Sequence, residues 1–544
     1  MAQFRRILLL AAVSGLLAAA LASAESADTV PSTDELERSG AVIGQIVIDA
    51  QNVFDTTDPR EDKALYRLAN NLRIKTRDQV IRRQLLFHPG ERYSQQSVDE
   101  SERILRSARY LYDASIRPIA YHDGVVDLRV TTRDVWTLSP GVSFGRHGGK
   151  NTSGFELEEL NILGTGTSIS LSHKSGIDRS SDELEYKDPH LAGTWASLTA
   201  NYSNNSDGST RGFKLDRPFY SLTTRNAFGV AAMDDDRIES LYDRGHVVDE
   251  FRNSKQVATA YGGWSAGLVN GWTRRWTSGI TYDDESFSPV PGSTPSQLIP
   301  EDRRLVYPWI GFELVQDDFV KEHNRDQIGR TEDFHLGASW SAMLGWADRA
   351  LGSDREALMF ATKAGRGFRV GEASTLLLNG ALAGRLEEGA LHDTIMDVTA
   401  RYYVPQSKKA LFFASIEGVA ARNLDLDHQN LLGGDNGLRG YPLRYQAGTS
   451  SALLTLEQRY FTDWYPFRLF RIGGAAFFDV GRTWGNNPVG DSNLGLLKDV
   501  GVGLRIGNTR SGLGNVIHVD LAFPLDGDNS ISNMQLIVET KQQF

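Results

Sequence analysis

Two short motifs near the C-terminal end contain the residues best suited to form a buried ion pair. Leu438-Arg439-Gly440-Tyr441 lies in a glycine-rich stretch, and Phe477-Phe478-Asp479-Val480-Gly481 ends an alternating segment. Side chains alternate between two faces along a strand, so Asp479 lies opposite the aliphatic residues. Glu457 lies on the polar face of the preceding predicted strand. A guanidinium is a planar fork of donors that stays charged, so a loop arginine in a partly dehydrated interior needs such acceptors.

Other charged or nucleophilic patterns favour structure over catalysis. Gly263-Trp264-Ser265-Ala266-Gly267 matches the nucleophile-elbow pattern, but an elbow needs a following helix and the next residues predict a turn into a strand. Asp425, Asp427 and Asn430 lack the glycine and final glutamate of a calcium loop. Arg303-Arg304 is interpreted as solvated loop charge. The 11 histidines show no metal spacing, so we predict no enzyme, no metal and no cofactor.

Residues 135–544 are a succession of short alternating segments separated by Gly, Asn, Asp and Ser. In one of them, apolar residues face one way and polar residues the other: Met396, Val398, Ala400 and Tyr402 against Asp397, Thr399 and Arg401. This alternation is typical of a transmembrane β-barrel, although a soluble sandwich shows it too. Because lipid cannot satisfy an open sheet edge, a spanning sheet must close. We therefore predict an all-β antiparallel barrel whose outer face contacts outer-membrane lipids.

At the two motifs the sequence resembles the BamA/TamA superfamily of outer-membrane assembly and secretion barrels. The Leu-Arg-Gly-Tyr loop and the Phe-x-Asp-x-Gly strand are similar to that family's signature pair. The resemblance implies that a loop over residues 421–450 enters the barrel lumen and that Arg439 meets Asp479 there, with Phe477 and Gly481 in the partner strand. It also implies 16 strands, whereas the alternating segments number about 21. The final residue, Phe544, is similar to the C-terminal signal of such barrels.

The N-terminal residues predict export. Arg5 and Arg6 precede the apolar run 7–21, and Ala22-Ser23-Ala24 is a small-residue cleavage site, so residues 1–24 are interpreted as a signal peptide. An uncleaved anchor is the alternative. Residues 25–41 are polar, contain Pro31, and are interpreted as a linker.

Residues 42–133 predict a small α+β domain. A β-branched run at 42–48 is followed by leucines at helical spacing, by capping boxes beginning at Thr76 and Ser97, and by a hairpin turn at Asp123-Gly124. The order strand, helix, helix, strand, strand is similar to a POTRA domain, the periplasmic module that precedes the barrel in the BamA/TamA family. The resemblance implies one such module, located in the periplasm.

Composition narrows the classes of function further. The chain of 544 residues has a formal net charge of −11, which argues against a nucleic-acid partner. It contains no cysteine, so a disulfide scaffold and thiolate metal sites are excluded.

The resemblance implies an outer-membrane factor that inserts or passes unfolded client polypeptides through a lateral seam. The seam would lie between the first barrel strand, 136–146, and the last, 534–544. An Asn-x-x-Gly-Thr-Gly turn at 161–166 is a further local similarity to the family. The alternative is a passive channel or structural surface antigen without client activity. A filled lumen favours the first function, and a large steady conductance favours the second.

Overall fold

The structure is a computed structural model that describes residues 30–292, 298–490, 494–512, 516–527 and 531–541. The predicted signal peptide, 1–24, and the terminal Phe544 lie outside these residues. The described chain forms a small unit of helices and strands followed by a closed β-barrel. In this part of the chain, no helix is both long and apolar enough to cross a membrane.

Residues 33–134 form the N-terminal unit. Its elements are α1 Thr33–Ser39, β1 Val42–Gln51, α2 Ala64–Leu72, α3 Asp78–Arg83, α4 Gln95–Ser107, β2 Leu111–His122 and β3 Val125–Asp134. Strand β3 is central in the sheet, parallel to β1 and antiparallel to β2. Asp123 and Gly124 join β2 to β3, and both have positive φ, 52° and 79°, as a tight hairpin turn requires. The hairpin prediction is therefore confirmed.

The helix starts of this unit differ from the sequence interpretation. The segment interpreted as a linker contains α1, where the Glu35 carboxylate accepts a hydrogen bond of 2.9 Å from the Ser32 amide and Leu36 is fully buried. Helix α4 is capped by Ser94, three residues before the predicted Ser97, because the Ser94 hydroxyl accepts from the Ser97 amide at 3.5 Å. The signal for α1 was present as Ser-x-x-Glu.

The remaining strands alternate with tight turns. In chain order they are β4 Leu138–His147, β5 Lys150–Glu159, β6 Ser168–Ser175, β7 Ser180–Asp188, β8 Ser197–Asn205, β9 Gly208–Arg217, β10 Asn226–Asp243, β11 His246–Val269, β12 Trp272–Pro289, β13 Arg303–Gln316, β14 Phe319–His323, β15 Thr331–His335, β16 Ser339–Ala347, β17 Ala357–Val370, β18 Ser374–Glu387, β19 Ala390–Pro405, β20 Ala410–Arg422, β21 Asn430–Leu432, β22 Gln446–Gly448, β23 Ser450–Phe461, β24 Phe470–Trp484, β25 Leu497–Asn508, β26 Val516–Pro524 and β27 Gln535–Lys541. Short 3-10 helices lie at Ile162–Gly164, Leu191–Gly193, Arg349–Leu351 and Pro466–Arg468.

Twenty of these strands close into one antiparallel barrel, in which each strand pairs with its neighbours along the chain and β27 pairs with β4. The pairs β14–β15 and β21–β22 are separate small sheets outside the barrel wall. The 16 strands implied by the resemblance are therefore wrong. The reason is that the two motifs specify only the local geometry of the loop and its partner strand. Alternation recurs in each wall strand, so the count of about 21 alternating segments is closer to the observed number of strands.

The wall has an apolar outer face and a polar inner face. In β24, Phe477 and Asp479 point into the barrel and are buried, while Phe478 and Val480 point outward. In β25, Val502 is exposed on the outside. The two-residue period of a strand produces this division wherever polar and apolar residues alternate. The barrel interior therefore contains the charged side chains of the wall, together with some buried apolar ones such as Phe477.

We call the barrel end that contacts the N-terminal unit the base, and the opposite end the top. Two excursions from the wall enter the interior. The lumen loop, residues 423–449 with β21 and β22, joins β20 to β23 at the top. The base hairpin, residues 317–338 with β14 and β15, joins β13 to β16 at the base.

Candidate functional site

Arg439 of the lumen loop is bound to two wall carboxylates. Its Nε and Nη2 donate parallel hydrogen bonds to the Asp479 carboxylate at 2.7 and 2.9 Å, and its Nη1 donates to Glu457 Oε1 at 2.8 Å. Asp479 and Glu457 belong to the adjacent strands β24 and β23. The structure thus brings together the loop arginine and both carboxylates that the strand alternation put on the polar face. This is the bidentate geometry in which arginine binds carboxylate most strongly.

The ion pair is shielded from water by the rest of the second motif. The centre of the Phe477 ring lies 3.4 Å from the Cζ atom of Arg439, so the guanidinium stacks on the aromatic face. Asp479 is fully buried, and its carboxylate also accepts a hydrogen bond from Thr455 at 2.9 Å. The stability of a charged pair that is shielded from water depends on whether the protein satisfies all of its hydrogen-bonding groups.

The residues on either side of Arg439 hold the loop against the wall. The Tyr441 hydroxyl donates to the Lys498 carbonyl oxygen at 2.7 Å. A Cβ on Gly440 would lie 2.7 Å from the Cβ of Asp499, so only glycine allows this approach to β25. Leu438 is fully buried with Tyr441 in an apolar cluster.

Gly481 completes the contact from the side of the wall. A Cβ at this position would lie 2.9 Å from Cδ2 of Leu432, which belongs to β21 of the lumen loop. The four residues of the loop motif and the inward-facing residues of the strand motif, Phe477, Asp479 and Gly481, therefore lie at the contact between loop and wall. Phe544 of the predicted C-terminal signal is outside the described residues.

Three further charged side chains extend this cluster, and the sequence interpretation did not assign them to the site. Arg459 Nε donates to Glu457 Oε2 at 2.9 Å. Arg505 is paired with Asp520, and Asp520 also lies 3.5 Å from Nη1 of Arg439. All three lie on the polar faces of alternating strands. Their position on the polar faces could have indicated that they belong to the site, because a buried charge on an inward face needs a partner.

The base hairpin is connected to the same cluster through Arg459. Arg459 Nη1 donates to the backbone carbonyl of Arg325 at 2.8 Å, while its Nε binds Glu457. The Tyr403 hydroxyl donates to Asp326 at 3.0 Å. Contacts therefore run without a break from Arg439 in the lumen loop, through Glu457 and Arg459, to the base hairpin.

The tip of the base hairpin is also held by apolar packing inside the barrel. Ile328 is buried in a cluster of hairpin and wall residues, whose members are Phe334, Leu336, Tyr403, Leu411, Phe413, Phe461, Ala475 and Val516. The wall members come from β19, β20, β23, β24 and β26. Because these strands line one side of the barrel, the hairpin fills the lumen there from the base.

A second group of ion pairs holds the lumen loop near the top. Arg385 donates to the Asp425 carboxylate through Nη1 and Nη2, both at 2.7 Å. Arg303 donates to Asp427 at 2.8 and 3.0 Å and to Glu285 at 2.6 Å. Arg303 is only 8% exposed, so its interpretation as a solvated loop charge is wrong. Asp425 and Asp427 bind arginines of the wall, which explains these acidic residues without calcium.

The N-terminal unit is packed directly against the base hairpin. Arg106 of α4 donates to both Asp333 oxygens at 2.7 Å. The Tyr112 hydroxyl donates to the Gly329 carbonyl at 2.7 Å. Lys321 of β14 forms an ion pair with Glu102 of α4. The base hairpin is therefore attached to the N-terminal unit through side chains of α4 and β2.

The N-terminal unit also contacts several barrel turns at the base. Asn161, in the turn that resembles the family's Asn-x-x-Gly-Thr-Gly sequence, donates through Nδ2 to the Thr76 hydroxyl at 2.9 Å. Glu100 accepts from the Leu222 amide at 2.7 Å. Leu160 is buried in the core of the N-terminal unit. Thr76 thus binds a turn of the barrel and does not begin α3 as predicted.

The seam between the first and last wall strands has minimal pairing. In the described residues, Val538 of β27 pairs with Arg146 of β4, and this is the one pair between the two strands. By contrast, β26 pairs along all of β27, and β5 pairs along all of β4. Below the seam, the Trp136 amide donates to the Arg510 carbonyl at 2.6 Å, which ties the start of β4 to the turn after β25.

The Gly-x-Ser-x-Gly sequence lies in a strand. Ser265 Oγ donates to the Arg274 carbonyl at 2.8 Å and accepts from the Gly267 amide at 3.0 Å. The register of β11 shifts between Ser265 and Leu268, so the serine lies at a β-bulge, and the chain then continues into β12. The geometry is not that of a nucleophile elbow.

Three side chains of metal-binding type meet on β26 and β27. The potential ligand atoms of His518, Asp520 and Glu539 lie within 4.8 Å of one another. Asp520 is paired with Arg505, so its carboxylate already has a protein cation. The sequence had not indicated this group as a metal site.

Comparison with protein-family models gives no match, and comparison with curated protein sequences gives none either. Solved structures similar to this chain include BamA from Haemophilus ducreyi lacking POTRA domains 1–3, with 14% identity over 91% of this chain and 84% of that chain and a TM-score of 0.38. CdiB from Acinetobacter baumannii has 13% identity over 92% and 73%, with a TM-score of 0.45. CdiB from Escherichia coli has 11% identity over 93% and 77%, with a TM-score of 0.48.

Proposed function

We propose that this chain is an outer-membrane protein that inserts or passes client polypeptides through the seam between β4 and β27. The observation that carries the proposal is that β4 and β27 share a single residue pair among the described residues, beside a lumen entered by segments from both ends. No covalent chemistry and no cofactor are part of the proposal.

The outer face of the wall supports a membrane location. Apolar side chains such as Val142, Ile310 and Val502 are exposed there, whereas the charged clusters lie inside. Closure of the sheet leaves few backbone groups unpaired toward lipid. The predicted signal peptide fits export of the chain to an outer membrane.

The filled lumen favours a client-handling factor over a passive channel. A channel conducts steadily only if a continuous aqueous path crosses it. Here the lumen loop is fixed by two groups of ion pairs, and the base hairpin is fixed by Arg459 and by the apolar cluster around Ile328. Both segments narrow the space through which an aqueous path could run, so release of either should increase conductance.

The seam offers backbone hydrogen-bonding groups with which a client strand can pair. Below Arg146, β4 has backbone groups on its seam side without register partners in the described part of β27. An extended segment can add to such an edge by backbone hydrogen bonds, which depend little on its sequence. A nascent barrel strand satisfies that requirement.

We propose in addition that the N-terminal unit is a POTRA-like module in the periplasm. Its strand order β1-β3-β2 leaves β2 at an edge of the sheet, which suits weak pairing with extended clients. Its contacts with the base hairpin through Arg106 and Tyr112 offer a route from client binding to opening of the lumen.

The function is tested by locking the seam. The chain has no cysteine, so Arg146→Cys with Val538→Cys would form a single disulfide, and directly paired residues lie within disulfide range. The control is Ile506→Cys with Ile517→Cys across the fully paired strands β25 and β26. The assay is folding of urea-unfolded outer-membrane clients into liposomes that contain the purified protein.

We expect the unlocked protein to accelerate client folding, the seam disulfide to reduce folding to the spontaneous rate, and reductant to restore it. The control disulfide should leave the acceleration intact. Equal activity with locked and unlocked seams would contradict the proposal. A large steady conductance without client acceleration would favour the passive channel.

A further inference from the structure

Helix α2 exposes a stripe of leucines that the N-terminal unit does not cover. Leu65, Leu68 and Leu72 are 70%, 51% and 65% exposed. Their spacing of three and four residues puts them on one side of the helix. Single exposed leucines are ordinary, but three on one short helix form a continuous apolar surface. Tyr66, on a neighbouring side of the same helix, is buried.

The helix has a defined position at the barrel base. The Tyr66 hydroxyl donates to the Phe467 carbonyl at 2.8 Å, and the ring of Tyr66 stacks on Phe54 with centroids 4.4 Å apart. The Asn70 side chain donates to the Phe54 carbonyl at 2.8 Å. Arg510, in the turn after β25, binds the Val53 carbonyl. Helix α2 is therefore held beside the turn between β23 and β24, with its leucine side turned away from these contacts.

That turn exposes aromatic residues at the edge of the barrel's outer face. Trp464 is 65% exposed and Phe467 is 74% exposed, and Tyr460 is exposed at the adjoining end of β23. Large aromatic side chains at strand ends are typical of the boundary between water and membrane. The helix that carries the leucine stripe is thus attached to a turn whose aromatic residues border the apolar outer face.

The polar side of the helix suits the same boundary. Lys63 and Arg67 are exposed at its start and middle, and Arg67 pairs with the half-exposed Asp62. An amphipathic helix with leucines on one side and basic residues on another binds in the plane of a membrane surface, where anionic headgroups attract the cations.

We propose that α2 lies in the headgroup region of the bilayer leaflet at the barrel base, with Leu65, Leu68 and Leu72 among the acyl chains. The occupant of this surface is phospholipid. The contact holds the N-terminal unit close to the membrane and limits its rotation about the base. The inference rests on the proposed membrane location of the barrel.

The test uses single cysteines in the full chain, which has none of its own. Leu68→Cys is labelled with an environment-sensitive fluorophore and the protein is placed in nanodiscs of phosphatidylcholine and phosphatidylglycerol. Quenching by nitroxide-labelled lipid is compared with quenching by aqueous iodide. Asn71→Cys, exposed on the polar side of α2, is the matched control, and Val502→Cys on the outer wall reports the position of the barrel.

We expect lipid quenching at positions 502 and 68 and iodide quenching at position 71. Adding Leu65→Ser and Leu72→Ser should reduce lipid quenching at position 68 without altering the fold, because both side chains are exposed. Lipid quenching at 502 with iodide quenching at 68 would overturn the helix inference alone. Iodide quenching at 502 would overturn the membrane location. Shielding of position 68 only after addition of unfolded client would identify a peptide site and overturn the lipid assignment.

Discussion

Arg439 and Asp479 meet inside the barrel through two parallel hydrogen bonds, although 40 residues separate them in the chain. The contact requires both segments to be correctly placed. The lumen loop must fold back through the barrel top, and β24 must turn Asp479 inward. The pair is therefore a sensitive reporter of loop position.

We expect Arg439→Ala to release the lumen loop more than it impairs barrel assembly. Removing one member of a buried pair typically costs on the order of 3–5 kcal/mol, because the other charge is left unpaired. Arg439→Lys should rescue only partly, since an ammonium group cannot form the fork. Loop release is measured by protease cleavage within 423–449, and activity by client folding.

The matched experiment is a double-mutant cycle. Asp479→Asn should resemble Arg439→Ala, and the double change Arg439→Ala with Asp479→Ala should be less severe than the sum of the two single losses. Strict additivity would show that the two side chains do not interact in the folded protein.

The ion pair of Arg303 with Asp427 should act as a second attachment of the lumen loop. Arg303→Ala leaves Glu285 and Asp427 without their shared cation, so we expect faster cleavage of residues 423–449. Arg304→Ala is the control, because Arg304 is exposed and pairs with Asp284 at the surface, where water screens ion pairs. Equal cleavage of the two variants would refute a separate role for Arg303.

Arg459 should couple the two segments that enter the lumen. We expect Arg459→Gln to increase amide hydrogen exchange in both 423–449 and 317–338, because this arginine binds Glu457 and the Arg325 carbonyl. Arg303→Ala should increase exchange in the lumen loop alone. An Arg459→Gln effect confined to one segment would argue against coupling.

The contact of the N-terminal unit with the base hairpin should limit ion flow. Arg106→Ala removes two hydrogen bonds to Asp333, so the hairpin should leave the lumen more often and single-channel openings in planar bilayers should become more frequent. The control is Arg117→Ala, an exposed arginine on β2. Unchanged opening frequency in both variants would count against a gating contact.

The lumen loop should be held more firmly at acidic than at alkaline pH. The hydrogen bond of 2.8 Å between His428 and the Asp393 carboxylate raises the pKa of His428 above its ordinary value of 6.5. A raised histidine pKa contributes stability that is complete below about pH 6.5 and is lost as pH rises through the folded pKa. We therefore expect slower cleavage of 423–449 at pH 6 than at pH 9. His428→Gln should remove that difference.

Strand alternation and two motifs were enough to predict the barrel, the inward direction of Asp479 and the loop that contacts it. The barrel and the inward direction of Asp479 follow from the two-residue period, whereas the contact of Arg439 with Asp479 was implied by the resemblance of the two motifs to the BamA/TamA superfamily. The number of strands did not follow, because it depends on how often hairpins repeat between the motifs. The role of Arg303 was missed, since its local sequence does not reveal that a loop more than 100 residues later returns to it; its bond to Asp427 spans 124 residues.

The contact between Arg459 and Arg325 was equally inaccessible from sequence. It joins residues that are 134 apart in the chain. The acceptor is a backbone carbonyl, which every residue type offers, so the identity of residue 325 gives no sequence signal. The base hairpin was predicted only as part of the alternating region, because short strands inside the lumen have the same alternation as strands in the wall. Its position depends on the N-terminal unit packed below it.

The tie between Trp136 and Arg510 determines the shape of any opening at the seam. It joins the residues just before β4 to the turn between β25 and β26, at the base of the barrel. If β27 swings away from β4, the two sides stay fastened at this corner. The gap is then a wedge, narrowest at the base and widest at the top, and not a slot of uniform width. A client strand added to β4 below Arg146 would then lie in the narrower part of the gap, and the corner would bound how far β27 travels.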